Sequence, residues 1–175
     1  MYTVCDMYIP NNVEIFDIMF KQSGNNSPIE NGRIVRVQEG DNYDLGVGRY
    51  PNQNDPISEL ALVYSPEYPP SYHKHCYSYD EFRNEAGMVS RVIRLKRGMK
   101  FYLSADGFNF DPATVPNGTL VCVDSNGKFS LCGVGEVKLV VGRMREWRYK
   151  KGKQMYSVAI IDDGNTNEVD YETKF

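Results

Sequence analysis

Glycine and proline recur along the chain at intervals of about ten residues, and this spacing constrains the fold more than any other feature. The 175 residues include 15 Gly and 9 Pro. The segments between them are short and rich in Val, Ile, Tyr and Phe, the residues that favour β-strands. Few longer windows keep apolar residues at helical spacing without an interrupting Gly or Pro. The pattern predicts an all-β fold with at most a helical turn or two.

The composition indicates a folded protein and excludes several functional classes. Hydrophobic residues make up 41% of the chain, with 13 Tyr and 8 Phe, which is too apolar for a disordered segment. A net charge of -3 argues against a protein whose main role is to hold phosphate backbones. The sequence has no apolar run long enough to cross a membrane and no secretory signal at residues 1–10. We therefore expect synthesis in a cytoplasm.

Strand signals place the best-defined part of the fold in the second half of the chain. Residues 119–123 and 128–132 form the clearest hairpin, because Asn126-Gly127 between them tolerates the positive φ of a tight turn. Residues 89–95 alternate well, and residues 99–104 are expected to pair with them across a turn at Lys96-Arg97-Gly98. These strands predict a compact β-barrel or sandwich.

The predicted organisation has three parts. Residues 89–162 form the barrel or sandwich, and residues 163–175 are a polar tail. Residues 1–88 are a loop-rich N-terminal region with a few strands, and residues 41–59 within it are a long loop. Because such a region would bury little core of its own, we expect it to wrap the barrel.

The cysteines indicate neither a zinc site nor a redox motif. None of the four forms a C-x-x-C pair, and they are widely spread: Cys5, Cys76, Cys122 and Cys132. A two-residue turn in the predicted hairpin would place Cys122 opposite Leu131, whereas a three-residue loop would bring it level with Cys132. We favour buried thiols over a disulfide.

No enzyme is predicted, because no constellation of residues carries a recognisable catalytic, cofactor or metal site. His73, His75 and Cys76 have metal-ligand chemistry, but a closed zinc site needs four ligands and the sequence supplies no second local pair. Gly46-Val47-Gly48 lacks the third glycine and the strand-to-helix setting of a dinucleotide site. A metalloenzyme or hydrolase built on the two histidines is a remote alternative.

A basic, aromatic segment at residues 143–153 is the one candidate nucleic-acid surface. It carries six cations together with Trp147 and Tyr149. On a two-residue period, Arg143, Arg145, Trp147 and Tyr149 would share one face while Arg148 points the other way, so the charges would not line one surface. A hairpin that docks on a protein neighbour is the favoured interpretation, and a small β-barrel that binds single-stranded nucleic acid is the alternative.

One region resembles a family of tailed-phage head proteins. In that family a Phe-x-Asn-Glu-Ala-Gly stretch precedes an Arg-rich strand, a Leu-x-x-Gly turn and another strand, and residues 79–103 follow this order. Asn31-Gly32-Arg33-Ile34-Val35 and residues 60–67 are similar to the earlier strands of that family, so the resemblance covers residues 31–123. The chain departs from the family at Met99, where an Asp commonly follows the turn glycine, and from residue 133 onward.

The resemblance implies a capsid decoration, or cement, protein with no catalytic site. Such a bacteriophage structural protein binds the outer surface of the major capsid protein shell and stabilises it, with symmetric copies of itself on the virion exterior. Tyrosines between prolines would suit such contacts, although several could instead cover the core of the barrel. The candidate partner contacts are Tyr64, Tyr68, Tyr72, Tyr77, Arg143, Arg145, Trp147 and Arg148.

Overall fold

The strands of the protein lie in two sheets. A computed structural model describes residues 4–10, 13–38, 45–52, 54–65, 84–132, 140–150 and 152–162. The strands are β1 (Val4–Tyr8), β2 (Ile15–Gln22), β3 (Asn25–Asn26), β4 (Ile34–Gln38), β5 (Gly46–Arg49), β6 (Leu60–Val63), β7 (Val89–Arg94), β8 (Lys100–Ser104), β9 (Leu120–Val123), β10 (Phe129–Leu131), β11 (Val140–Lys150) and β12 (Lys153–Ile160). Short 3₁₀ turns lie at Ile57–Glu59 and Ala105–Gly107. The all-β prediction is confirmed.

Five strands close into a barrel, one of the two architectures that the sequence predicted. They are hydrogen-bonded in the order β2-β5-β4-β6-β7, and β2 also pairs with β7 to complete the ring. The pairing of β2 with β5 is parallel and the other four are antiparallel. Strand β3 continues from β2 as a short hairpin at the edge of the ring. Closure leaves the five strands without a free edge between them.

The other strands form an antiparallel six-stranded sheet in the order β1-β8-β12-β11-β9-β10. The predicted hairpin at residues 119–132 is confirmed as β9 and β10. The predicted pairing of β7 with β8 is wrong, because β7 joins the barrel and β8 joins the six-stranded sheet. The turn at Lys96-Arg97-Gly98 does form, with the Met99 amide donating to the Lys96 carbonyl at 3.1 Å, and it carries the chain from one sheet to the other.

The barrel occupies residues 15–94, whereas the sequence placed the compact β unit at residues 89–162. The sequence did not predict a barrel in the first half of the chain mainly because β5 lies inside the predicted loop at residues 41–59. This strand carries two glycines, which disfavour a strand by propensity. A Cβ at Gly48 would meet the Cδ1 of Ile18, so the glycine makes room for that side chain in the barrel interior. The N-terminal region also reaches the other sheet, since β1 pairs with β8.

Two hydrophobic cores share the strands of one barrel wall. In β6 the side chains of Ala61 and Val63 fill the barrel interior, while Leu60 and Leu62 point outward into the core that faces the six-stranded sheet. All four are fully buried. Strand β4 is divided in the same way, with Ile34 in the outer core. Because successive side chains of a strand point to opposite faces, a single apolar run supplies both cores.

The turn of the β9–β10 hairpin fastens the six-stranded sheet to the barrel. The Ile34 amide donates to the Gly127 carbonyl at 2.9 Å, and the Arg33 guanidinium donates to the Asn126 carbonyl at 2.9 Å. Gly127 has a φ of 69°, and a Cβ there would collide with the carbonyl oxygen of Ile34. The glycine is therefore required both by the turn and by the approach of β4.

A disulfide joins Cys122 and Cys132, which corrects the expectation of buried thiols. The loop does have three residues, but these are 125–127, centred on Asn126 and not on Gly127, so Cys122 stands opposite Ser130 rather than opposite Leu131 or Cys132. Cys132 lies just past the end of β10, where the chain turns, and its Cα comes within 5.4 Å of that of Cys122. This separation is within the range that a disulfide spans. Strand register alone could not predict it.

Two buried asparagine side chains, Asn31 and Asn84, bind nearby backbone groups and also contact each other, with Asn84 Nδ2 donating to Asn31 Oδ1 at 3.4 Å. The side-chain amide of Asn31 donates to the Ser65 carbonyl, and the backbone amide of Ser65 donates back to Asn31 Oδ1, both at 2.9 Å. Asn84 donates from its side chain to the Ile29 carbonyl at 3.1 Å. The Asn-Glu-Ala-Gly motif thus begins with a buried structural asparagine, and its glycine, Gly87, occupies a turn with a φ of 80°.

Replacing Gly127 with alanine should destabilise the protein far more than the same change at Gly118. Both glycines have positive φ, so both variants carry a backbone strain of about 1–2 kcal/mol. Gly118 has nothing within 4 Å of its Cβ position, whereas Gly127 faces the backbone of Ile34. We expect Gly127→Ala to cost at least about 2 kcal/mol more in the free energy of unfolding, measured by urea denaturation. Equal losses in the two variants would contradict the docking of the turn on β4.

Candidate functional site

The hairpin of β11 and β12 extends beyond its neighbours in the six-stranded sheet. Strand β9 pairs with β11 only as far as Arg143, and β8 pairs with β12 only from Met155 onward. Residues 147–150 of β11 pair with residues 153–156 of β12, and residues 155 and 156 also pair with β8. We call residues 147–150 and 152–154 the arm. Its tip, residues 149–150 and 153–154, is a two-stranded ribbon that neither β8 nor β9 flanks.

A β-bulge at the base of the arm sets which side chains share a face. The register of β11 against β12 shifts between Met144 and Trp147. Met144 lies in the outer core, and Trp147 stands opposite the core residue Tyr156. Arg148 stands opposite Met155, which packs against Tyr102 on the other face. The prediction that Trp147 shares a face with Arg143 and Arg145 is therefore wrong, because the bulge interrupts the two-residue period.

The arm exposes two aromatic side chains on one face. Trp147 is 58% exposed and Tyr149 is 71% exposed, and the alternation within β11 places both on the side that continues the hydrophobic core. Their cross-strand partners are Tyr156 and Gln154, which carry no charge. The arm therefore presents a largely uncharged aromatic surface where the core reaches solvent. Large exposed aromatic surfaces of this kind mark interaction sites.

The opposite face of the hairpin carries a charge cluster centred on Glu146. Its Oε1 accepts hydrogen bonds from Lys100 Nζ at 2.9 Å, from the Tyr102 hydroxyl at 2.8 Å and from Arg148 Nη2 at 3.0 Å. The hydrogen bond from Lys100 and then that from Tyr102 are the largest causes that lower the pKa of Glu146 to about 2. Lys100 and Arg148 both lie 5.6 Å from the centre of the Tyr102 ring. The cluster joins the base of the arm to β8.

The three arginines among the predicted partner contacts lie in three different environments. Arg143 is half-buried on β11, and its Nε is buried without a hydrogen-bond partner. Arg145 lies at the bulge and lines a cavity on the face of the six-stranded sheet that points away from the barrel. Arg148 is held by Glu146. The cations and the exposed aromatic side chains are therefore on opposite faces of the hairpin.

Of the four candidate tyrosines, only one falls within the described residues. Tyr64 follows β6 on the barrel, is 38% exposed, and donates its amide to the Arg91 carbonyl at 2.9 Å. It belongs to the barrel, whereas the arm belongs to the six-stranded sheet. Tyr68, Tyr72 and Tyr77 lie outside the described residues, so their predicted role as contacts is not tested.

The sequence left a metal site as a remote alternative. In the part of the chain that the structure describes, no three His, Cys, Asp or Glu side chains are grouped closely enough to hold a metal ion. His73, His75 and Cys76 lie outside that part. Likewise, no described helix has the length and apolar character needed to span a membrane.

Two residues of the site were not among the predicted partner contacts, although Tyr149 was named within the basic, aromatic segment. Tyr149 is the most exposed aromatic side chain described, and its position two residues after Trp147 was a usable signal. Glu146 is a lone carboxylate within a basic segment, and nothing local shows that Lys100 and Tyr102 come to it from another strand. Only the pairing of β8 with β12, and of β12 with β11, brings these groups together.

Comparison with known proteins gives no relative from which to transfer a function. No protein-family model matches the chain, and neither a curated protein nor a solved structure matches it significantly. The chemistry of the described residues must therefore carry the functional argument.

The Glu146 cluster predicts a change in acid stability. A carboxylate whose pKa falls from 4.5 to about 2 on folding stabilises the protein fully above about pH 4.5, and this contribution is lost as the pH falls through about 2. Glu146→Gln should therefore show a shallower loss of stability between these pH values, measured by urea denaturation at a series of pH values.

The control for this measurement is Glu14→Gln, which removes a more exposed carboxylate that binds one arginine, Arg94, at 3.2 Å. If Glu146→Gln and the unaltered protein lose stability in parallel between pH 4.5 and 2, Glu146 does not anchor the arm.

Proposed function

We propose that this protein is a non-enzymatic docking protein that decorates the outside of a tailed-phage capsid and stabilises it. The observation that carries the proposal is the arm, which projects from a closed, tightly packed body and exposes Trp147 and Tyr149 on one face. A cement protein works by burying area between neighbouring shell subunits, and this requires a rigid scaffold with exposed anchors. The described residues supply both.

The two aromatic side chains have the properties of binding anchors. Trp and Tyr bury large rings with few rotatable bonds, so little conformational entropy is lost when they enter a pocket on a partner. Their polar tips retain a hydrogen-bond donor at the rim. Trp147 and Tyr149 lie on the same face of one strand, so a single groove on a partner could receive both.

The base of the arm supports the same role, because it reduces the cost of ordering the arm on binding. Lys100, Tyr102 and Arg148 converge on Glu146 at the bulge, and Met144 anchors the strand in the outer core. A hairpin fixed before binding loses less freedom when it docks than a loose loop does. The hydrogen-bonded cluster also keeps Arg148 on the face away from the aromatic pair.

Two further observations favour a capsid as the partner. The order of motifs in residues 31–123 resembles phage head proteins, and the major capsid protein is the partner that such a resemblance implies. The disulfide between Cys122 and Cys132 suits a protein that works outside a reducing cytosol, as one on the exterior of a virion does. Symmetric copies on the shell would place the same anchors at each equivalent site.

The second candidate function is binding of single-stranded nucleic acid by the arm. The exposed Trp147 and Tyr149 favour it, since aromatic side chains stack on bases. The opposite placement of the described cations weighs against it, because Arg148 is paired with Glu146 on the far face. Nucleic-acid binding would need a cationic track beside the aromatic pair.

Trp147→Ala and Tyr149→Ala should each weaken binding to assembled empty shells. An anchor that fills a pocket contributes about 2 kcal/mol or more, which corresponds to roughly a 30-fold increase in Kd. Co-sedimentation of the purified variants with shells at low and high salt measures this. Met88→Ala is the matched control, because Met88 is 57% exposed and lies on the barrel just before β7.

A single-stranded oligonucleotide in the same assay separates the two candidates. Saturable binding to shells at both salt concentrations, with none to the oligonucleotide, is the expected result. Oligonucleotide binding that falls steeply with salt and is lost in Trp147→Ala, without shell binding, would replace decoration with the nucleic-acid function.

A further inference from the structure

A cavity of about 450 Å³ lies on the face of the six-stranded sheet that points away from the barrel, beside the bulge that supports the arm. Its lining includes Tyr8 from β1, Lys100 from β8, Ala159 from β12 and both bulge residues, Arg145 and Glu146, from β11. These four strands are successive neighbours in the sheet. The cavity is therefore a trough that crosses the strands, and we refer to it as the trough.

The dimensions of the trough suit an extended chain. Three spacings of about 4.8 Å separate β1 from β11, so the trough spans about 14 Å. An extended peptide covers this distance with about four residues at 3.4 Å each. At the β11 side the wall continues to Asn117, whose neighbour Gly118 donates its amide to the Met144 carbonyl at 2.8 Å. A volume of this size is typical of ligand sites.

The floor and walls differ in chemistry. The floor includes Ala159, whose side chain is small enough to let a chain approach the sheet closely. The walls carry hydrogen-bonding groups at Lys100, Asn117 and Arg145. Two cations line the trough against one anion, Glu146, which gives its described lining a net charge of +1. An apolar floor between donor-rich walls fits a peptide with alternating apolar and acidic side chains.

The anion in the wall is already engaged. Glu146 accepts hydrogen bonds from Lys100, Tyr102 and Arg148. These contacts lower the pKa of Glu146 to about 2, so its carboxylate stays ionised at any higher pH. Lys100 has three donors and uses one of them on Glu146, so it can bind a second carboxylate at the same time. The wall thus stays fixed in charge and position while a ligand carboxylate enters.

We propose that the trough binds an extended acidic segment of the partner protein. This inference rests on the proposed function in that the segment belongs to the shell protein on which the arm docks. The arm would then supply apolar anchoring and the trough would supply charge selection, since electrostatic complementarity governs specificity more than raw affinity. Lys100 and Arg145 would repel segments with basic side chains.

The test uses the full chain and a fluorescein-labelled, acetylated peptide of about six residues in which Glu and Val alternate. A peptide in which Lys replaces each Glu is the charge-reversed control. Fluorescence anisotropy should show saturable binding of the acidic peptide and none of the basic one. Arg145→Ala should weaken this binding about tenfold, as expected for loss of a hydrogen bond to a charged group. Arg91→Ala on the barrel, an exposed arginine outside the trough, should leave it unchanged.

A second variant tests the shape of the trough. Ala159→Phe places a ring on its floor and should abolish peptide binding, with circular dichroism used to check that the variant folds. Absence of acidic-peptide binding, equal binding of the two peptides, or unchanged binding in both variants would overturn the inference. Shell binding that persists without peptide binding would overturn it and leave the decoration function standing. Peptide binding without shell binding would overturn decoration and the assignment of the segment to the shell protein, and would leave only the selectivity of the trough for acidic segments.

Discussion

The burial of three barrel strands on both faces is the constraint on which the rest of the structure depends. Strands β4, β6 and β7 fill the barrel with one set of side chains and cover the six-stranded sheet with the other. Neither layer would have a closed core without them, because an isolated barrel wall would leave Leu60 and Leu62 in water. The turn at Gly127 fixes the two layers against each other through the backbone of β4.

The position of the arm follows from this arrangement. The inner parts of β11 and β12 are held by the shared core through Met144 and Val158, while the outer parts run past the last residues paired with β8 and β9. The bulge lies at the boundary between these parts, and the Glu146 cluster ties it to β8. The arm therefore combines a firm base with a projecting aromatic tip, and the trough lies directly beside that base.

Local sequence rules succeeded where neighbouring residues determine the outcome. The β9–β10 hairpin was predictable because Asn126 and Gly127 favour the turn and the flanking segments are apolar. The arm was predicted as a hairpin, and Trp147 was identified as a candidate contact. The grouping of its side chains was not predictable, because one added residue in β11 reverses the faces beyond it and composition gives no sign of a bulge. The disulfide was missed for a similar reason, since it depends on where the chain turns after β10.

The sequence by itself determined that the protein is built from short strands, where several of them lie and that no long helix interrupts them in the described part of the chain. Turn residues and two-residue alternation act over a few neighbouring positions, so these features can be read locally. Tertiary structure decided which sheet each strand joins. Strand β5 forms despite its glycines because it pairs with both β2 and β4, and Gly48 leaves the space that Ile18 fills. Strand β7 parts from β8 because its two faces contribute to two cores. Tertiary structure also brought Lys100, Tyr102 and Glu146 together, since pairing between strands distant in sequence is a long-range interaction that no local pattern specifies.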